Sequence, residues 1–192
     1  MAAPRELGLF GGSFDPVHVG HLLTARDAFE RLKLDALWFI PCAASADGKA
    51  LAPAALRLRW LKLALKGQPG FKAWDGEIKR GGVSRSIDTL RALRAQLGPG
   101  PRFSLLIGQD QLAQLHRWKE AEQIPKLARV VVLGRPGPRA KIRFKGVWRR
   151  IPTRQIEVSS TEIRSRIAAA LSVRGFLPEG LARNSGLLRS YR

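Results

Sequence analysis

Apolar positions along this chain follow two rhythms. Four short apolar runs, Leu7 to Phe10, Leu37 to Ile40, Phe103 to Ile107 and Arg129 to Leu133, are stopped at once by Gly11, Pro41, Gly108 and Gly134. Runs of strand length with turn formers behind them read as buried strands. Between them the period lengthens. Leu22, Ala25, Phe29 and Leu32 share one face of a helix predicted over 21–33, and Ile87, Leu90, Leu93 and Leu97 share one over 86–97, which Gly98-Pro99 stops. Further helices are predicted over 54–66, over 160–171 and in the tail after Pro178, with helical segments from 111 to 127. Residues 42–53 read as a loop, 71–79 as extended chain, and 139–158 as irregular with short strands.

Strands alternating with helices predict an α/β fold: a Rossmann-like parallel sheet flanked by helices, a single domain over 1–192 with a small C-terminal helical part. In such sheets ligands bind beyond the carboxyl ends of the strands. The polar clusters 11–21, 108–110 and 134–137 each follow a strand directly, so they are expected on one solvent-facing rim.

Composition narrows the setting. A length of 192 residues and a 45% hydrophobic share suffice for one packed core. The lone Cys42 allows no intrachain disulfide, and no leader or run of about 20 apolar residues is visible, so a cytoplasmic protein off the membrane is expected. Cys42 itself reads as a small packed residue. Lys and Arg number 34 against 15 Asp and Glu, a formal net charge of +19. That balance suits phosphate-bearing substrates or a polyanion without choosing between them. Eight basic residues and no acidic one lie between Arg135 and Arg154. Ile142, Phe144 and Trp148 interrupt them, and the segment is expected to be solvated, with at most weak contact to nucleic acid.

The densest chemistry lies in Gly11-Gly12-Ser13-Phe14-Asp15-Pro16-Val17-His18-Val19-Gly20-His21. Glycines behind a strand let backbone approach a phosphate, and two histidines three apart at a helix start aim imidazoles at one spot near the positive end of the helix dipole. Taken singly, each histidine reads equally as a surface or capping residue. A zinc site needs about four ligands, and only Cys42 and His116 remain among the softer types.

As a whole the stretch resembles the signature of the nucleotidyltransferases with a His-x-Gly-His motif, distant relatives of class I aminoacyl-tRNA synthetases. Val158-Ser159-Ser160-Thr161-Glu162-Ile163-Arg164 is similar to the Ile-Ser-x-Thr-x-Ile-Arg segment of those enzymes. By itself this second stretch is a plain helix cap. Within that superfamily the resemblance is to nicotinate-nucleotide adenylyltransferases and covers nearly the whole chain. It is carried by Ser84-Arg-Ser-Ile-Asp-Thr-Leu90, Gly108-Gln-Asp110, Trp118, Arg135-Pro-Gly137 and Phe176-Leu-Pro-Glu179.

The resemblance implies AMP transfer from ATP to nicotinate mononucleotide in NAD biosynthesis, by direct attack of the acceptor phosphate on the α-phosphorus. It implies catalytic roles for His18, His21 and Arg164, and ATP contacts from Gly11, Gly12, Ser13, Phe14, Gly108, Asp110, Ser159, Ser160 and Thr161. Acceptor contacts are implied for Lys49, Ser84, Arg85, Ser86, Thr89, Trp118 and Arg135, with Trp118 stacking on the pyridine ring. Mg²⁺ is expected to arrive with ATP, held by phosphate and water and not by the chain. The alternatives are a related enzyme whose acceptor is nicotinamide mononucleotide or phosphopantetheine, and a basic nucleic-acid-binding protein on the same scaffold. The chain departs from the family in two places: Pro41 to Lys49 replaces a Pro-Pro-His-Lys segment, and Arg85 stands where the family carries tyrosine.

Overall fold

The computed structural model describes residues 4–134, 142–154 and 156–191. One parallel sheet of six strands, in the order β3-β2-β1-β4-β5-β6, forms its centre. The strands are β1 (Glu6–Gly12), β2 (Ala36–Pro41), β3 (Phe71–Ala73), β4 (Arg102–Gly108), β5 (Arg129–Gly134) and β6 (Trp148–Pro152). Strand order reverses direction between β1 and β4, the switch point at which ligands settle in doubly wound sheets. Register places the exits level: Gly12 pairs with Pro41, and Phe10 with Leu106, which puts Gly108 beside Gly12.

Each strand sends alternate side chains to opposite faces, as the pleat requires. Leu37, Phe39, Leu106, Val131 and Leu133 enter one core, with Ala25 and Ala28 of α1 (Val19–Arg31), Trp60 and Leu61 of α2 (Ala54–Ala64) and Ile163 and Ile167 of α7 (Ser160–Ala168). Leu181 of α8 (Glu179–Ala182) and Leu187 of α9 (Ser185–Arg189) close that core. Leu7, Leu9, Trp38, Ile40, Leu105 and Val132 enter the other, with Ile87, Leu90 and Leu93 of α4 (Ser86–Leu97), Leu112 of α5 (Gln109–Gln114) and Ile124 of α6 (Ile124–Leu127). Burying such a side chain contributes about 1.5–3 kcal/mol, which is why sheets buried on both faces carry unbroken apolar runs. Among the described residues, no helix is long and apolar enough to cross a membrane.

Two expectations need correction, and a third gains detail. Only Phe71–Ala73 of the segment 71–79 is a strand; Gly76–Arg80 turns into α3, because Glu77 is drawn inward by hydroxyl partners that lie later in the chain. The helix at 160 ends at Ala168, where Ala170 takes a left-handed backbone, φ 55°. Within 139–158 the strand β6 is regular, yet it shows almost no apolar signal, because Ile151 alone of its residues is buried. Basic side chains at Arg149 and Arg150 face solvent along this edge, a common guard against edge-to-edge pairing.

The basic segment is solvated where it is described: Arg143, Lys145, Arg149, Arg150 and Arg154 are exposed, while Phe144 is buried and Trp148 packs on the second core. Arg139 and Lys141 lie outside the described residues. With its aromatics turned inward the segment offers no stacking platform for bases. Titrating an oligonucleotide near physiological salt should give weak binding that fades as salt rises. Tight binding abolished by Arg143, Lys145 and Arg149→Ser would contradict this.

Candidate active site at the switch point

The loop behind β1 is shaped by its glycines and by Phe14. Phe14 adopts φ 47°, which reverses the chain, and its buried ring packs at 5.9 Å from Phe10, 5.6 Å from Phe39 and 5.1 Å from the His21 ring. Phe14 therefore reaches the site through His21. His18 is the N-cap of α1, with extended φ −141° and ψ 171°. A Cβ on Gly20 would lie 3.0 Å from the His18 ring, so the glycine between the histidines is the space into which His18 folds. The two rings stack at 3.7 Å between centroids and 34° between planes. His18 is only 7% exposed, so it is not the solvent-facing residue the motif suggests; His21 is half-buried.

The His18 backbone N–H donates to Nδ1 of His21 at 3.3 Å. An imidazole that accepts at Nδ1 in its neutral form carries its proton on Nε2. His21 is thus set as a donor toward whatever lies beyond the helix start.

A fully buried guanidinium, Arg57 of α2, binds this loop to the loop behind β2. It donates to the carbonyl oxygens of Ser13 (2.7 Å), Cys42 (2.8 Å), Ala43 (3.1 Å) and Ala52 (2.8 Å). Asp15, 2% exposed, is the complementary anion: its Oδ1 accepts from the Ala52 N–H at 3.2 Å and the Tyr191 hydroxyl at 2.6 Å. The Cys42 thiol lies 3.8 Å from Arg57, and burial pushes its pKa up, which suits a packed residue and not a nucleophile.

Helix α7 closes the rim from the opposite side. Ser159 is its N-cap, the Oγ accepting from the Glu162 N–H at 3.1 Å. Ser160 donates to the Pro16 carbonyl at 2.8 Å. Arg164 donates to the Asp15 carbonyl at 2.7 Å and to Thr161 Oγ1 at 3.2 Å, so it is anchored on the histidine loop. At the end of β4 the Asp110 carboxylate turns back over Gly108, where a Cβ would meet it at 2.5 Å.

The residues assigned to the acceptor fall in three places. Ser84 accepts from the Ala43 N–H at 2.9 Å, joining the start of α4 to the loop behind β2. Thr89 is buried and donates to Glu77, a 7% exposed carboxyl that Ser84 also bonds. Ser86 opens α4, while Arg85, its N-cap, and Lys49 are exposed. Trp118 is half-buried against the second core, and its neighbours tie it to α4: Lys119 pairs with Asp88 at 2.9 Å and Glu120 with Arg91 at 3.0 Å. Arg135 lies outside the described residues. Arg57, Asp15, Glu77 and Tyr191 are the polar supports that sequence reasoning did not single out.

Comparison with known proteins gives the family and the fold. The profile of the cytidylyltransferase-like family matches residues 9–166. A Gemmatimonas aurantiaca protein named "Probable nicotinate-nucleotide adenylyltransferase" is 41% identical, with 97% of this chain and 93% of that protein covered. A protein of the same name from Opitutus terrae is 36% identical, with 90% of this chain and 91% of that one covered. Among solved structures, Plasmodium falciparum nicotinic acid mononucleotide adenylyltransferase complexed with NaAD has the same fold. Its TM-score is 0.73 at 17% identity, over 97% of this chain and 96% of that one.

Burial raises the Glu77 carboxyl above its ordinary 4.5, against the opposing bonds from Ser84 and Thr89 and the charge of Arg80. Because the folded form holds its proton to higher pH than the unfolded chain, the contribution is full below about pH 4.5 and is lost as pH rises through the raised value. Glu77→Gln removes that loss. The Tm of the variant relative to the native protein should therefore climb between acid and neutral pH. A pH-independent difference would show that Glu77 is not held proton-rich.

Proposed function

We propose, from the premise that this chain belongs to the nicotinate-nucleotide adenylyltransferases of the cytidylyltransferase-like family, that it moves AMP from ATP to nicotinate mononucleotide at the β1–β4 switch point. The observation that carries the residue-level reading is the stacked His18–His21 pair at the start of α1, with the His21 proton directed to Nε2. An oxygen of the acceptor phosphate attacks the α-phosphorus of ATP. The new O–P bond forms as the bond to the bridging oxygen of pyrophosphate breaks, and pyrophosphate leaves with that electron pair. Deamido-NAD is the second product.

In this reading the chain works by placing two polyanions and stabilising charge as it builds. His18 and His21 donate to phosphate oxygens in the transition state. The backbone of Gly11, Gly12 and Ser13 lets the triphosphate approach closely, and the first turn of α7, with Thr161 and Arg164, faces the leaving pyrophosphate. Phe14 orients His21, and Asp110 beside Gly108 receives the ATP ribose. On the acceptor side, Ser84, Ser86 and Thr89 sit at the start of α4, Trp118 supplies the pyridine-stacking ring, and Lys49 and Arg135 add positive charge. Arg85 stays at the surface.

Members of this class use a divalent ion with ATP. Among the described residues no group of three His, Cys, Asp or Glu side chains is placed to hold one. In this reading Mg²⁺ would arrive with the nucleotide and would offset phosphate charge. The whole chain serves as one nucleotidyltransferase domain, working in the cytoplasm.

Replacing His21 or His18 by Ala should lower kcat by about 100- to 1000-fold, the usual loss for one transition-state donor. Since His18 is buried, its alanine variant should also lose thermal stability, and His18→Asn separates the two effects. Folded variants with near-native turnover would remove the pair from the mechanism. For the acceptor, nicotinate mononucleotide should exceed nicotinamide mononucleotide by about tenfold in kcat/KM, a difference of about 1.4 kcal/mol. A carboxylate gains charge-assisted bonds that a neutral amide does not. Arg85→Tyr should leave that ratio unchanged. Equal use of both acceptors would defeat the assignment, and a collapsed ratio in the variant would place Arg85 in the pocket.

A further inference from the structure

We propose that Tyr191 is a positioning residue for adenylyl transfer: its hydroxyl, docked on Asp15, holds the loop 13–18 in the shape that the histidine pair requires. The inference rests on the site proposed above and adds to it a residue 176 positions away in sequence from the carboxylate it touches. Asp15 stands three residues before His18 and is almost wholly buried, so its carboxylate needs donors. It has three. The Tyr191 O–H donates to Oδ1 at 2.6 Å, the Ala52 N–H donates to the same oxygen at 3.2 Å, and Arg164 lies 3.8 Å from Oδ2.

Of these the phenol makes the shortest contact, and it comes from the C-terminal segment. That segment is held at several points. Leu181 and Leu187 are buried in the first core, the Phe176 carbonyl accepts from the Val19 N–H at 3.0 Å, and the Tyr191 ring lies 5.6 Å from that of buried Trp60. The ring contact anchors the tail, while the hydroxyl contact fixes Asp15. The two are separable, because Tyr191→Phe deletes only the second.

The groups facing the phenol are Asp15, Arg164 and Arg57. Burial and the bond to Asp15 push its ionisation well above the ordinary 10, against the two arginines. This gives the docking its own optical signal. The chain has one tyrosine, so phenolate absorbance near 295 nm belongs to Tyr191 alone.

The test compares native protein, Tyr191→Phe and Tyr191→Ala in Tm, kcat, both KM values and, for the native protein, the alkaline titration. The native phenol should remain protonated above its ordinary 10 while the fold persists. Tyr191→Phe should lower kcat by about tenfold at a temperature where the variant is fully folded, with KM for either substrate within about twofold and Tm lower by only a few degrees, the cost of a lost bond to a buried charge. Tyr191→Ala should lose both kcat and Tm. A phenol that titrates near 10 overturns the proposal, as does a Tyr191→Phe variant with native kcat or one whose kcat falls only in step with its Tm. Native protein that releases no pyrophosphate from ATP and nicotinate mononucleotide would defeat the functional reading, and the positioning role with it. The titration would still report whether the phenol is docked.

Discussion

A buried positive charge with no carboxylate bonded to it among the described residues holds the rim of this protein together. The Arg57 guanidinium is fully enclosed and directs its donors at four backbone carbonyls in three stretches of chain: Ser13, Cys42 with Ala43, and Ala52. Burying a cation is costly unless its donors are satisfied, and here the satisfied state exists only when the loops behind β1 and β2 are both in place. The folding of one substrate loop is thereby made conditional on the other. Ala52 is gripped from both sides, its carbonyl by Arg57 and its N–H by Asp15. The loop that bears the histidine pair and the loop that bears Lys49 form one body, seated on the level exits of β1, β2 and β4.

That arrangement explains which features were legible in the sequence. The sheet could be read because buried parallel strands are nearly continuous apolar runs, and the first loop because Gly20 and the two histidines are required together by ring packing. Arg57 could not be read. In Leu56-Arg57-Leu58-Arg59-Trp60 it has the same local pattern as Arg59, and only the tertiary fold decides that one arginine is buried and the other is not. Asp15 reads as a turn former beside Pro16, and its partners lie 37 and 176 residues away. Glu77 reads as one carboxylate in a polar stretch, and its burial depends on Ser84 and Thr89. Strand β6 was expected only as a short strand somewhere in 139–158, because an edge strand with basic residues facing water carries too little apolar alternation to fix its bounds.

The burial of His18 changes how the proposed mechanism works. A histidine in solvent is a mobile donor; one folded into the space above Gly20 and stacked on its neighbour is fixed before substrate arrives. Fixed donors lose little reorganisation energy when charge develops, which is the main electrostatic advantage a site of this kind has over water. The supports converge on the same loop: Arg57 on Ser13, Arg164 on Asp15, and Ser160 on Pro16. In the proposed mechanism the side chains that touch the site therefore act by position.

The central claim is that AMP passes from ATP to the acceptor in one displacement, with no bond to the protein. In the proposed function the acceptor phosphate is the attacking group, and burial pushes the Cys42 thiol pKa up, away from a nucleophilic thiolate. The direct test uses ATP made chiral at the α-phosphorus by sulfur, coupled to nicotinate mononucleotide, with the configuration of the thio-dinucleotide product determined. A single displacement predicts inversion at phosphorus. Retention would require two displacements through an adenylylated side chain and would contradict this mechanism.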